Sequence, residues 1–200
     1  MIITVLDTET TGLDLDKHEI IEIALISYLY DRDGNRYVMR KYEQKIKPER
    51  IDLANPRALE INGYTDAAWL EARPAAEVLA EVKTIVEDSD ILLGQNLIFD
   101  LRFVNEVCQR LDMAAPKFPA YVDTKEIADK LVKANWLEKS GMDYLVEHYN
   151  VEVSGRAHTA LVDCERTMLV WDKLLEEVGE DYSLYTFEEP YEPYRRRRKS

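Results

Sequence analysis

Residues 2–6 form an unbroken apolar and β-branched run, the pattern of a strand covered on both faces. Similar runs predict a second strand over 20–30 and a third over 37–46. The segment "DRDGNR" joins them, and Asp33-Gly34 supplies hairpin-turn chemistry, so the chain starts as a three-stranded antiparallel meander. Residues 48–74 are irregular, with helical scraps around Ala58 and Asp66. A helix is predicted over 75–87, where Val78, Leu79, Val82, Ile85 and Val86 share one face. A short buried strand at 91–93 leads into a helix over 97–111 with Asn96 as its N-cap. A brief strand at Val122 precedes helices over 124–134, 142–149 and 159–178. The last carries Leu161, Cys164, Met168, Trp171, Leu175 and Val178 at helical spacing, with Thr159 as N-cap. Three strands followed by alternating helices and strands predict an α/β fold: a mixed five-stranded sheet, three antiparallel strands and then two parallel additions, with helices on both faces. Periodicity stops at Gly179, which divides a domain at 1–178 from a tail at 179–200, first aromatic and acidic, then basic.

Composition narrows this picture. Two hundred residues, 46% of them hydrophobic, suffice for one domain with a substantial core. A formal net charge of -13 argues against a nonspecific polyanion binder held by bulk charge. A local basic stripe, or metal ions held by carboxylates, can still receive phosphates on such a protein. Cys108 and Cys164 are the only cysteines, and they read as small buried apolar residues, because no CxxC pair exists. With no signal-peptide pattern and no apolar run of membrane-spanning length, the expectation is a cytoplasmic protein without a membrane partner. The tail's closing "RRRRKS" reads either as a solvated end or as a tether for nucleic-acid backbone or an acidic partner.

The candidate chemistry lies in four acids. In "VLDTETTGL", Asp7 and Glu9 stand two apart on a strand, so they project together with Thr8 opposite. Like charges so close repel, and a divalent cation among hard oxygen ligands relieves them; taken alone, the triplet also suits a surface acidic pair. In "GQNLIFDLRFV", Asp100 falls in the first turn of a helix, where an acid also complements the helix dipole. In "RAHTALVDCERT", His158 precedes Asp163 by five positions, about 140° around a regular helix. The two share a site only if His158 belongs to the preceding loop; otherwise a lone histidine there is structural. "INGYT", at 61–65, is by itself a turn containing a glycine.

Together these segments resemble the DEDD exonucleases of the histidine subtype, the DnaQ-like group of the ribonuclease-H-like superfamily that includes the proofreading epsilon subunit of bacterial DNA polymerase III. "DTETTGL" is similar to the first motif, "QNLIFDLRF" to the second, "HTALVDCERT" to the third, and "INGYT" to a further family segment. The resemblance covers about residues 1–178. Gln95 and Asn62 depart from it, standing where histidine is common. The resemblance implies a ribonuclease-H-like fold and a 3′→5′ exonuclease releasing 5′-mononucleotides by two-metal hydrolysis. Two Mg²⁺ ions, with Mn²⁺ as substitute, would be held by Asp7, Glu9, Asp100 and Asp163, with Asp7 bridging them and His158 as general base. Thr10 and Leu13 match positions that contact backbone and wedge terminal bases apart. Ile61, Asn62, Asn96 and Phe99 would contact the terminal nucleotide; for Leu13, Ile61 and Phe99 core packing is the alternative. The expected substrate is a single-stranded DNA 3′ end, with a role in proofreading or DNA repair beside a polymerase or another protein. The alternatives are an exoribonuclease and an inactive nucleic-acid-binding or scaffold module; the five filled catalytic positions argue against the last.

Overall fold

The structure, a computed structural model, describes residues 1–179. Strands β1 (Ile2–Thr10), β2 (Ile20–Tyr30) and β3 (Arg36–Lys45) form the antiparallel meander. Strands β4 (Ile91–Gly94) and β5 (Ala120–Asp123) extend the sheet in parallel from the other edge of β1, in the order β3-β2-β1-β4-β5. The helices are α1 (Pro56–Asn62), α2 (Ala75–Glu87), α3 (Leu97–Arg110), α4 (Thr124–Lys133), α5 (Met142–His148) and α6 (Ala160–Val178). This is the expected α/β class, and β2 and α2 have the expected bounds. The first strand runs four residues beyond the apolar stretch, because Asp7 and Glu9 remain paired to Ala24 and Glu22 of β2.

Strand alternation sorts the core into two layers. Ile3, Val5, Ala24, Ile26, Leu93 and Val122 face α4, α5 and α6, meeting Leu131, Leu145, Cys164 and Met168. Leu6, Ile23, Leu25, Leu92 and Tyr121 face α2 and α3, meeting Val82, Val86, Leu101 and Phe103. Coverage on both faces explains why β1 and β2 read as apolar runs rather than alternating ones. Each aliphatic side chain so buried contributes about 1.5–3 kcal/mol. Cys108 and Cys164 are free and buried within these layers. In the β2–β3 hairpin, Gly34 takes the left-handed conformation at φ 83° and Asp31 N–H donates to Asn35 C=O.

Two expected caps differ. Asn96 and Thr159 occupy the N-cap positions of α3 and α6, but neither side chain caps its helix. Asn96 is in the left-handed region at φ 61°, and the Thr159 hydroxyl donates to the Arg156 carbonyl. No helix among the described residues is long and apolar enough to cross a membrane. The basic tail expected beyond residue 179 lies outside the described residues.

Candidate active site

The row of β1 side chains facing α6 runs Ile3, Val5, Asp7, Glu9, so the alternation that builds the core delivers two acids side by side at its rim. Thr8 points the other way. Its N–H and Oγ1 both donate to Asp100 Oδ1, at 2.9 and 2.6 Å, which ties the first turn of α3 to β1 and buries Asp100. Asp163 lies in the first turn of α6. His158 precedes that helix by two residues, and its N–H donates to Asp163 Oδ2 at 3.1 Å. The angular conflict of an i, i+5 pair is thus resolved by the loop. His158 also holds φ 60°, a conformation costly for any residue with a Cβ and found most often where surrounding structure imposes it.

Glu9, His158 and Asp163 each offer a ligand atom within 4.8 Å of the others. Asp7 is outside that trio, but it is held near Asp100, Asp163 and Glu9 closely enough for all three to act on its charge. Burial pushes the Asp7 carboxyl well above the usual carboxylate range, and repulsion from Asp100, Asp163, Glu9 and Glu22 adds to it. Burial, then Asp163, Glu22 and Asp100, raises Glu9 to about 8, with Arg156 opposing. Burial raises Asp100 to about 7, against the two Thr8 hydrogen bonds. Asp163 is raised by burial and lowered by Arg166 and His158. Repulsion among gathered carboxylates is relieved by protonation or by a cation, and their hard oxygens, beside one imidazole, are a donor set for a divalent cation. The residues present therefore fit a divalent-metal site.

Two cations reach this rim. Arg166 Nη1 lies 3.2 Å from Asp163 Oδ1, and Arg156 Nη2 donates to the Ile61 carbonyl at 3.1 Å. Gly63 of "INGYT" serves both the α1 terminus and this contact. It closes α1 in the left-handed conformation at φ 68°, and a Cβ there would stand 2.0 Å from Arg156 Nη1.

The remaining candidate residues are arranged unequally. Thr10 is buried, with Oγ1 donating to the Gly12 carbonyl, and the buried Asn62 donates through Nδ2 to the Thr10 carbonyl at 2.9 Å. Leu13 is 81% exposed, which removes core packing as its role. Ile61 and Phe99 are half-buried, Phe99 packing on Phe103 with ring centroids 4.8 Å apart, while Asn96 is exposed. Gln95, one of the two departures, donates to the Ser140 carbonyl and so braces the loop before α5. Thr8, Arg156 and Arg166 were missed from sequence. Helical i, i+3 spacing could have paired Arg166 with Asp163, whereas nothing local marks Arg156.

A mixed five-stranded sheet of this topology, with acids gathered where β1, α3 and α6 converge, is the expected ribonuclease-H-like architecture. A family model of exonucleases (RNase_T) matches residues 4–171. The PolC-type DNA polymerase III of Staphylococcus aureus strain RF122 is 29% identical over 177 residues, covering 88% of this chain and 11% of that polymerase. The chain thus spans about a tenth of the length of the curated relatives it matches. Among solved structures, the nuclease domain of 3'hExo, a DEDDh family member bound to rAMP, superposes with TM-score 0.71 at 18% identity, covering 95% of this chain and 97% of that one. E. coli exonuclease I in complex with a dT13 oligonucleotide superposes with TM-score 0.74 at 16% identity, covering 91% and 42%. The chain belongs to the exonuclease family, and hence to the phosphodiester hydrolases. Divalent metals serve the chemistry of that class.

Proposed function

We propose that the protein removes nucleotides one at a time from the 3′ end of single-stranded DNA, with Asp7, Glu9, Asp100 and Asp163 as ligands of two Mg²⁺ ions and His158 as general base. The convergence of Glu9, His158 and Asp163 within 4.8 Å carries this reading, because it joins the ends of β1 and α6 in one acid-imidazole cluster. When bound, such ions would neutralise charge on the phosphate and lower the pKa of a water, so that it attacks as hydroxide once a base has taken its proton. His158 contributes the imidazole of the cluster and would take a proton from that water as general base. The hydrogen bond from its backbone N–H to Asp163 keeps its loop against the cluster. Thr8 aims Asp100, and Asn62 braces the backbone at Thr10, where the strand's last nucleotide would be gripped. Leu13, exposed beside this loop, is the wedge between terminal bases.

The likeness to a PolC-type polymerase supports a proofreading or repair setting in the cytoplasm, next to a polymerase. An exoribonuclease is the second reading, favoured by the superposition on a nuclease domain bound to rAMP. Residues 1–178 would form the catalytic domain in either case. Labelled DNA and RNA single strands of equal sequence, incubated with Mg²⁺ or EDTA, test both. A DNA ladder shortening from the 3′ end only with Mg²⁺ is expected. Internal cuts, or turnover surviving the chelator, would overturn the proposal, and faster shortening of RNA would favour the second reading.

A further inference from the structure

Among the described residues, two buried carboxylates remain once the four acids of the cluster are assigned. Glu22, 3% exposed, stands directly across from Glu9 in the β1–β2 pairing, on the face covered by α6. Its Oε1 accepts the N–H of Ala160, the first residue of α6, at 2.9 Å. Asp123, also 3% exposed, ends β5. Its Oδ1 accepts Asn96 N–H at 2.8 Å and Lys125 N–H at 2.9 Å, and its Oδ2 accepts Leu97 N–H at 2.8 Å. Leu97 is the first residue of α3. The helices held in this way are the two that carry Asp163 and Asp100. Both lack a side-chain cap from their own N-cap residue, and each first N–H is satisfied from a neighbouring strand.

We infer that Glu22 and Asp123 are positioning residues, which fix the N-termini of α6 and α3 against the sheet so that Asp163 and Asp100 meet Asp7 and Glu9. A local Ser or Thr cap accepts an N–H one or two residues further into the helix and moves with that helix, whereas these carboxylates take the N–H of each helix's first residue. A carboxylate rooted in the sheet ties the helix to the strands that present the other two acids. Asp123 also holds Asn96 in its left-handed conformation, which starts α3 at the angle that brings Asp100 to Thr8. Groups that hydrogen-bond a metal ligand directly are worth about 10–100-fold in metal affinity or activity, and these two, which bond the backbone of the ligands' helices, are expected at the lower end. The inference rests on the reading of the four acids as metal ligands.

The hydrogen-bond pattern separates the two conservative replacements. Glu22 uses one oxygen toward Ala160, so Glu22→Gln preserves the bond. Asp123 uses both oxygens, so Asp123→Asn must turn an amide N–H₂ toward a backbone donor. Mn²⁺ affinity is read by the spin-resonance signal of the free ion, and kcat and KM on a single-stranded DNA oligomer, at a temperature where circular dichroism shows each variant folded. Glu22→Gln is expected to stay within about threefold of wild type in all three. Glu22→Ala and Asp123→Asn are expected to lose about tenfold or more in Mn²⁺ affinity and in kcat, with KM within about threefold. A folded Glu22→Ala with wild-type Mn²⁺ affinity, or a Glu22→Gln as impaired as Glu22→Ala, overturns the inference. If Glu22→Ala does not fold, an intact Glu22→Gln beside an impaired Asp123→Asn upholds it, and any other pairing of the two overturns it. A wild-type protein that binds no Mn²⁺ overturns the metal site itself, an outcome distinct from a failure confined to the variants.

Discussion

In the absence of metal, raising pH from 5 to 8 should destabilise this protein. Glu9 rises from 4.5 to about 8 and Asp100 from 3.8 to about 7 on folding. Both folded values lie above the unfolded ones, so between about pH 4 and 8 the folded state binds more protons. Stability then falls as pH rises, by the linkage between proton uptake and folding. At about 1.4 kcal/mol per pH unit, increases of about 3.5 and 3.2 correspond to about 9 kcal/mol together. That sum is a ceiling, because each increase already includes repulsion from the other acids and the rim is open to water. About 3–4 kcal/mol is the expected loss, or roughly 10 °C in Tm for a chain of this size. The paired acids Asp14, Asp31 and Glu81 have lowered values, so their contributions are lost only below about pH 4, outside this window. The assay is thermal unfolding in EDTA from pH 5 to 8.5, repeated in Mg²⁺. Mg²⁺ should add several degrees at pH 8 and almost none at pH 5, where protons compete for the same oxygens. A Tm in EDTA that is flat or rises with pH, or an equal gain from Mg²⁺ at both ends, would refute the reasoning.

Substitutions at the rim should divide by role. His158→Ala is expected to lower kcat by about 10²–10⁴ while calorimetric Mn²⁺ affinity changes less than about threefold. Asp7→Ala should abolish both turnover and metal binding, and unchanged calorimetric affinity would remove Asp7 from the ligand set. Thr8→Val deletes the 2.6 Å hydrogen bond to Asp100, a charge-assisted bond worth about 1.5–3 kcal/mol, so Mn²⁺ affinity should fall by about tenfold or more in a titration. Leu13→Ala should leave Tm within about 1 °C, since the side chain is 81% exposed, yet slow digestion of a duplex 3′ end relative to a single strand. Equal rates on both substrates would end its assignment as a wedge.

The sequence revealed the parts of this site that depend on local periodicity, and concealed those that depend on where elements meet. Period-two alternation is enough to place Asp7 and Glu9 on one side of a strand, and apolar runs covered on both faces are enough to predict the sheet. The helix starts and the N-cap residues Asn96 and Thr159 are legible to within a residue, but neither side chain makes the capping hydrogen bond that its type predicts. Asn96 and Thr159 have the residue types that cap helices, and a local rule cannot know that a β-strand carboxylate will tie each helix by the N–H of its first residue. For the same reason Glu22 and Asp123 looked unremarkable: one is a polar interruption in an apolar strand, the other an acid before a helix. A charged residue inside a doubly covered strand is nonetheless a readable anomaly, since such burial is costly unless a partner compensates. Glu22 interrupts "IIEIALI" in that way. The useful question at such a position is which unpaired backbone group in the fold requires it, and here that group belongs to the helix bearing Asp163.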